Sequence, residues 1–459
     1  MDSGLRKGMV TVLTANIINL MFNLLTNFLL PKYLSVDSYS AIKSFQLYVM
    51  YVGIFSMGCA DGMYLRYGGK ELKKLDKAEL KSGLRTFRWL LAIESAILLC
   101  IVPFLHDKVL SAFVLTIMSL NMTSYFKNLY QAVGEFRKYG NILNLTTILT
   151  FAVNMLLLFF IGTDDYFLYL IGYGAVNALI WGLLEFHARS LFRDVSGSAG
   201  ISFRLLCRDT RMGVTLMVGN FSSILLTSMD RWFVKAMMGS VQFAQYSFAV
   251  SLEGFLNAAI TPITVTLYNY FCKHDDKETI KKSRKYVLMF SAVVIAAAFP
   301  AKFIVEHYLA NYVEALPVLF ILFGSQLFYI SIKGIYVNLY KAKGKQAAYF
   351  TKLVLVLLIG ALLNWLFVRI YPFKEAFAFG TLLSAAIWLI LCVLDFKEYP
   401  LDIREILFAL AEIAMFLLLG FYAGAVLGLL VYSILTAVCA YILFRRELCE
   451  ALLAVKKAL

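Results

Sequence analysis

The chain has 459 residues, 61% of them hydrophobic, with a mean hydropathy of +0.75. Soluble domains are about 45–50% apolar, so this composition excludes one. The formal charge of +14 does not argue for nucleic acid, because the basic residues gather in alternate loops between apolar runs, as the positive-inside rule requires of a polytopic membrane protein.

Apolar runs long enough to cross about 30 Å of hydrocarbon as helices recur from end to end. Span 1 covers Met9–Leu30. Arg6 and Lys7 precede it, and it is too long for the apolar core of a cleaved signal, so it is expected to be retained. Span 2 covers Ser40–Ala60. The segment Arg66–Arg88 then carries eight Lys and Arg and no apolar run, the strongest topological marker in the chain. Spans 3 to 6 are Trp89–Leu105, Val109–Phe126, Ile142–Ile161 and Tyr166–Glu185. The connection Phe186–Arg211, with five arginines and the run Ser196–Gly200, reads as a linker. Spans 7 to 12 are Met212–Met237, Gln245–Phe271, Tyr286–Phe303, Leu316–Tyr340, Ala347–Ile370 and Glu375–Leu394. Residues Ile406–Phe444 are too long for one crossing. Gly420, Gly424 and Gly428 offer a turn, which gives spans 13 and 14. The expected fold is all-α with fourteen transmembrane helices and both termini on the basic, cytoplasmic side.

Two stretches share a signature. Asn128–Tyr139 and Asn338–Tyr349 are identical at six of twelve positions: Asn128/Asn338, Leu129/Leu339, Tyr130/Tyr340, Ala132/Ala342, Gly134/Gly344 and Tyr139/Tyr349. Thr11–Asn16 echoes Thr215–Asn220 at nearly the same offset. This pattern predicts an internal duplication, spans 1–6 and 7–12. An even repeat keeps one orientation, and transporters built this way place the substrate path between the halves. The expected organisation is an N-lobe over 1–200, a C-lobe over 201–402, and peripheral spans 13 and 14 with a tail over 403–459.

Polar stripes mark where such a path could run. Asn16, Asn19, Asn23 and Asn27 recur at helical spacing on span 1, and Asn220, Ser223, Thr227 and Arg231 follow the same spacing on span 7. Interhelical hydrogen bonding and a cavity lining both account for them. Span 8 carries Glu253, Asn257, Thr261 and Thr264 on one face, with Pro262 inside it, which frees a carbonyl and bends a helix. Ionisable groups within spans are costly and functional by default. Glu253 and Lys333 lie too deep to reach an interface, whereas Lys352, Glu94 and Glu412 are placed to do so. Asp230 and Arg231 sit near the outer mouth of span 7, where a local ion pair is the bland alternative. Asp61 and Arg66 mark the inner mouth of span 2. The candidate path is therefore Lys333, Asn16, Asn23, Asn220, Thr227, Asp230, Arg231 and Asn257, with Glu253 as ion-coupling candidate and Asp61, Arg66 and Lys352 as mouth charges. A salt bridge from Lys333 to Glu253 or Asp61 is the structural alternative to substrate binding.

Catalysis finds little support. His106, His187, His274 and His307 fall in loops or at span ends. The seven cysteines show no C-x-x-C or zinc spacing, so no catalytic residue and no metal are expected. No Gly-rich phosphate loop precedes a helix, so no nucleotide or other cofactor is expected.

The run Met57-Gly-Cys-Ala-Asp-Gly62, then Arg66-Tyr-Gly-Gly69, Asp230-Arg231, Phe243-Ala-Gln-Tyr-Ser247 and Asn338-Leu-Tyr-x-Ala-x-Gly344 together resemble polysaccharide repeat-unit flippases. These belong to the multidrug/oligosaccharidyl-lipid/polysaccharide (MOP) transporter superfamily, and the resemblance covers spans 1–12. It implies two six-helix lobes around a central cleft, alternating access, and residence in the bacterial cytoplasmic membrane. The implied partner is an oligosaccharide on undecaprenyl diphosphate, moved to the outer leaflet and driven by an ion gradient or the membrane potential. Drug exporters of the superfamily share the fold, so a cation-coupled small-molecule exporter stays open. A membrane glycan polymerase or acyltransferase would need a catalytic constellation or a large outer loop, and neither is visible.

Overall fold

The computed structural model describes residues 3–192, 200–257, 260, 264, 267, 270–272 and 276–458. Thr261, Pro262, most of Ser196–Gly200 and His274 lie outside the described residues, and so does the expected kink at Pro262. Among the described residues there is no strand. Chain order gives α1 (Ser3–Tyr33), α2 (Val36–Val49), α3 (Cys59–Tyr67), α4 (Lys77–Leu105), α5 (Lys108–Ala132), α6 (Phe136–Met155), α7 (Tyr166–Leu191), α8 (Phe203–Met237) and α9 (Ser240–Gly254). There follow α10 (Lys277–Ile295), α11 (Ala298–Tyr308), α12 (Leu316–Ser331), α13 (Val337–Ala342), α14 (Gln346–Ile370), α15 (Lys374–Asp395), α16 (Ile403–Tyr422) and α17 (Ala425–Ala458). Eleven helical stretches among the described residues are long and apolar enough to cross a membrane.

Local chemistry sets many of the helix starts. Asp76, Asp107, Asp165, Asp276 and Asp402 each accept a backbone N–H of the first turn, which satisfies groups a helix otherwise leaves open. Asp402 completes a capping box with Glu405.

The chain forms two compact units, Met1–Thr227 and Ser228–Leu459, dividing within α8. In the first, α5 is the core helix, packed by α2, α3, α4, α6 and α7. In the second, α12 has that place, packed by α9, α10, α11, α15 and α16. The repeated signature sits at the end of each core segment and folds the same way twice. Glu135 N–H reaches Tyr130 O at 2.9 Å, and Lys345 N–H reaches Tyr340 O at 2.8 Å. Gly134 and Gly344 take φ of 74° and 69°, the left-handed conformation that closes such a helix end.

Span 2 is not the single helix its hydropathy predicts. It breaks after Val49 into a 3-10 turn at Val52–Ser56, and Met57 and Gly58 take positive φ before α3 begins. The reason is a backbone contact. A Cβ on Gly62 would lie 1.8 Å from Asp209 O, and one on Gly213 would lie 2.0 Å from Gly58 O. The run Met57–Gly62 is thus a close-packing surface that seats α3 directly on α8. That contact also accounts for most of α8 clustering with the first unit.

Spans 13 and 14 pack tightly in the second unit. Phe299 and Phe320 meet Phe416 at centroid distances of 5.7 and 5.2 Å, and Tyr432 packs on Phe416 at 5.5 Å. Buried Arg284 pairs with Glu405 at 2.8 Å and donates to the carbonyls of Tyr399 and Pro400 at 2.6 and 2.8 Å. Lys302 caps the end of α16 through Gly420 O and Ala423 O at 2.8 and 2.7 Å. Of the three glycines expected to form the turn, only Gly424 lies between the helices. A Cβ on Gly420 would meet Phe320 at 2.2 Å, and one on Gly428 would meet Phe299 at 2.6 Å. Those two let α16 and α17 approach the aromatic cluster.

Candidate functional site

In the second unit, polar side chains gather between two helices. From α9 and its continuation come Tyr246, Glu253 and Asn257. From α12 and the turn after it come Gln326, Tyr329 and Lys333, at three- and four-residue spacing on one face. Gln326 donates to the Glu253 carboxylate. One rung further, Lys333 Nζ donates to Asn257 Oδ1 at 3.3 Å and stands 5.8 Å from the centre of the Tyr329 ring. Tyr246 donates to Asp230 Oδ2 at 2.7 Å, and Asp230 Oδ1 accepts the backbone N–H of Arg231 at 2.7 Å. Buried Asp230 is thus held by a phenol and a backbone amide.

Lys333 has unusual surroundings. Within the second unit, no described carboxylate lies within ion-pair distance of its ammonium, so the alternative of a salt bridge to Glu253 is not formed. Asn257 supplies one amide oxygen and Tyr329 a ring face. The residue lies in a π-helical turn, Ile332–Tyr336, set in an otherwise α-helical segment that is largely buried. Such turns are rare and recur at functional sites. A half-buried ammonium held only by an amide and a ring keeps hydrogen-bonding capacity for an anion.

The other predicted residues lie as follows. In the first unit Asn16 and Asn23 are exposed, while Asn19 bonds Ala15 O at 2.8 Å and Thr147 on α6. The span 1 stripe thus splits between an exposed row and interhelical bonding. Asn220 approaches Asp61 at 3.5 Å. Thr227 bonds back to Ser223 O and Ile224 O at 3.2 and 3.1 Å. Arg66 pairs with Glu79 at 3.0 Å and Asp209 at 2.7 Å, and Arg208 joins the same two acids. Arg66 and Asp209 are buried, while Glu79 and Arg208 are part-exposed, so the four charges form one paired cluster at this end of α3. Lys352 pairs with Asp395, the last residue of α15, at 3.0 Å, and Asp395 also accepts the Tyr340 hydroxyl at 2.6 Å. Glu412, expected to reach an interface, is fully buried instead and accepts Thr436 at 2.8 Å, a link between α16 and α17.

Sequence reasoning misses Lys43. It lies 5% exposed on α2, donating to Asn27 Oδ1 at 2.7 Å and Gln46 Oε1 at 3.1 Å, with the Tyr39 ring centre 5.1 Å away. The signal available was a lysine inside an apolar run with Gln46 one turn on. Its place near a loop concealed it. Among the described residues no cluster of His, Cys, Asp and Glu could hold a metal.

By sequence the chain matches no family model and no curated protein. By structure it is similar to the lipid II flippase MurJ in an inward closed conformation, with a TM-score of 0.65 and 12% identity over 94% of this chain and 98% of that one. It is also similar to an inward-facing multidrug resistance MATE family transporter of the MOP superfamily, with a TM-score of 0.55 and 12% identity over 84% and 95%. A mutant of the Vibrio cholerae MATE transporter VcmN gives a TM-score of 0.52 and 13% identity over 86% and 96%. The chain has the multi-pass helical fold of MOP-type transporters.

Proposed function

We propose that this chain is a transporter that moves a polyprenyl-diphosphate-linked oligosaccharide repeat unit across the bacterial cytoplasmic membrane by alternating access. The observation that carries this reading is Lys333: a half-buried ammonium with an amide and an aromatic ring around it and no carboxylate in ion-pair range among the described residues. A diphosphate leaving water needs cations and donors to replace its hydration. Lys333 and Arg231 supply charge, and Asn257 and Tyr329 supply polar and aromatic surface for sugars. The likeness to a lipid II flippase supports a lipid-linked cargo. Both termini and the Arg66–Arg88 segment are placed in the cytoplasm on the distribution of basic residues, and spans 1–6 and 7–12 as repeated lobes on the twice-folded signature.

A second reading has its own observation. Glu253, hydrogen-bonded to Gln326 across two helices, suits a proton- or cation-coupled exporter, and MATE transporters share the fold. Coupling and lipid-linked cargo are compatible, so Glu253 is assigned to the drive and Lys333 to the cargo. The test is deletion of the gene in its host. A flippase mutant accumulates the lipid-linked repeat unit in the inner leaflet and loses surface glycan. A mutant with intact glycan and new sensitivity to toxic cations would select the exporter instead.

A further inference from the structure

A second basic site lies outside the polar ladder and is made by other elements. The tail of α17 bends at Phe444, whose φ of −131° and ψ of 37° interrupt the helix. The bend is anchored, since Phe444 is fully buried, 5.1 Å from the Phe408 ring and 5.7 Å from Lys285 Nζ. Beyond it, the acids of the tail face α10. Glu447 pairs with Lys285 at 2.7 Å, and Glu450 accepts Tyr286 at 3.1 Å and pairs with Lys282. With Glu447 committed to Lys285, the arginines of the same turn are left to a cavity of about 480 Å³. Arg404, Arg445 and Arg446 line it together with Ile442, Leu443 and Glu447.

Guanidiniums bind phosphate oxygens bidentately, and three of them meet here. Arg404 lies in the first turn of α16, where the helix field also favours an anion. Arg446 keeps one contact, with Glu450 at 3.2 Å, while its side chain is 87% exposed. Arg445 lies over the Tyr441 ring at 5.3 Å. Exposed apolar side chains run on from the pocket: Ile442 and Val438 on α17, Ile403 and Leu407 on α16. A cationic pocket continued by an apolar strip matches one chemistry, a phosphate headgroup carrying acyl chains. We propose that this pocket binds one anionic phospholipid of the adjacent leaflet. The site goes beyond the transport reading and does not depend on the cargo.

The test uses the full-length protein purified in detergent, with retention of phosphatidylglycerol against phosphatidylcholine read by native mass spectrometry. The wild type is expected to retain the anionic lipid at least about tenfold better, the preference basic clusters near a membrane surface confer. R404Q/R445Q/R446Q is expected to lose the preference while remaining monodisperse, and R404K/R445K/R446K to keep part of it. A control removing three loop charges, K70Q/K73Q/K74Q, is expected to keep it fully. The proposal is overturned if the wild type shows no preference, if the triple glutamine variant keeps it, or if the loop control loses as much. It is equally overturned if soluble glycerol phosphate binds as tightly as the lipid, which would make the site one for small anions. Should the glutamine variant fail to fold, the lysine variant against the loop control decides.

Discussion

Lys333 and Glu253 share one helix pair and divide into different roles. The ammonium has no acid within reach among the described residues, so removing it leaves no orphaned carboxylate. Lys333→Ala is therefore expected to keep normal protein levels and thermal stability while surface-glycan export falls at least tenfold. Lys333→Arg is expected to retain part of it, because charge persists and geometry changes. Normal export by a well-expressed Lys333→Ala protein would remove the diphosphate role. Glu253→Gln keeps a hydrogen-bonding partner for Gln326 and is expected to fold. Transport in vesicles should then lose its dependence on an imposed proton gradient, and unchanged dependence would take Glu253 out of coupling. Depth in the sequence singled out both residues, since each lies far from an interface. Sequence distance says nothing of what stands opposite Lys352, where Asp395 at the end of the adjacent helix pairs with it. Lys43 stayed hidden for the converse reason: its partners Asn27 and Gln46 lie inside apolar surroundings that a loop-proximal lysine does not announce.

Helix identity followed from hydropathy because crossing a bilayer fixes both length and composition. The turn at Gly424 followed too, but the break within span 2 did not, because it comes from tertiary contact. Span 2 is interrupted to bring Gly62 against Asp209 O, which no periodicity encodes. Gly62→Ala must push α3 from α8, an overpacking of about 1–3 kcal/mol. A melting temperature several degrees lower in detergent is expected, and an unchanged one would show that the helices separate freely. The ion pair of Arg284 with Glu405 is buried on both sides, at 5% and 4% exposure. Glu405→Ala strands that guanidinium, at a cost of about 3–5 kcal/mol. Protein yield and melting temperature should both fall, and α16 should become accessible to protease. Wild-type yield would mean that the carbonyls of Tyr399 and Pro400 hold Arg284 unaided.

At the scale of the molecule, basic loops and a repeated signature carried the reading. The proposed duplication rests on the two signature stretches, whose helix ends are closed by the same hydrogen bonds. Cysteines introduced singly at Lys73, Lys397 and Asp165 in a cysteine-free background test the orientation. A membrane-impermeant maleimide added to whole cells is expected to label Asp165→Cys alone. Labelling at either lysine position would invert or break the proposed topology. Charge distribution carries the proposed orientation; it carries no cargo, because one fold can serve different substrates.

The π-helical turn at Ile332–Tyr336 carries one residue more than the α-helical path would need, so in genetic terms it is an insertion. Removing that residue, for example by deleting Gly334, would let the segment close as continuous α-helix. The part before the turn would then rotate by about 100° relative to the part after it. Gln326, Tyr329 and Lys333, all before the deleted residue, would rotate together away from Asn338 and Tyr340 beyond it, while composition and hydropathy stayed almost unchanged. Such a deletant is expected to insert and accumulate normally yet move no cargo. A single codon would then separate the capacity to occupy a membrane from the capacity to carry anything through it.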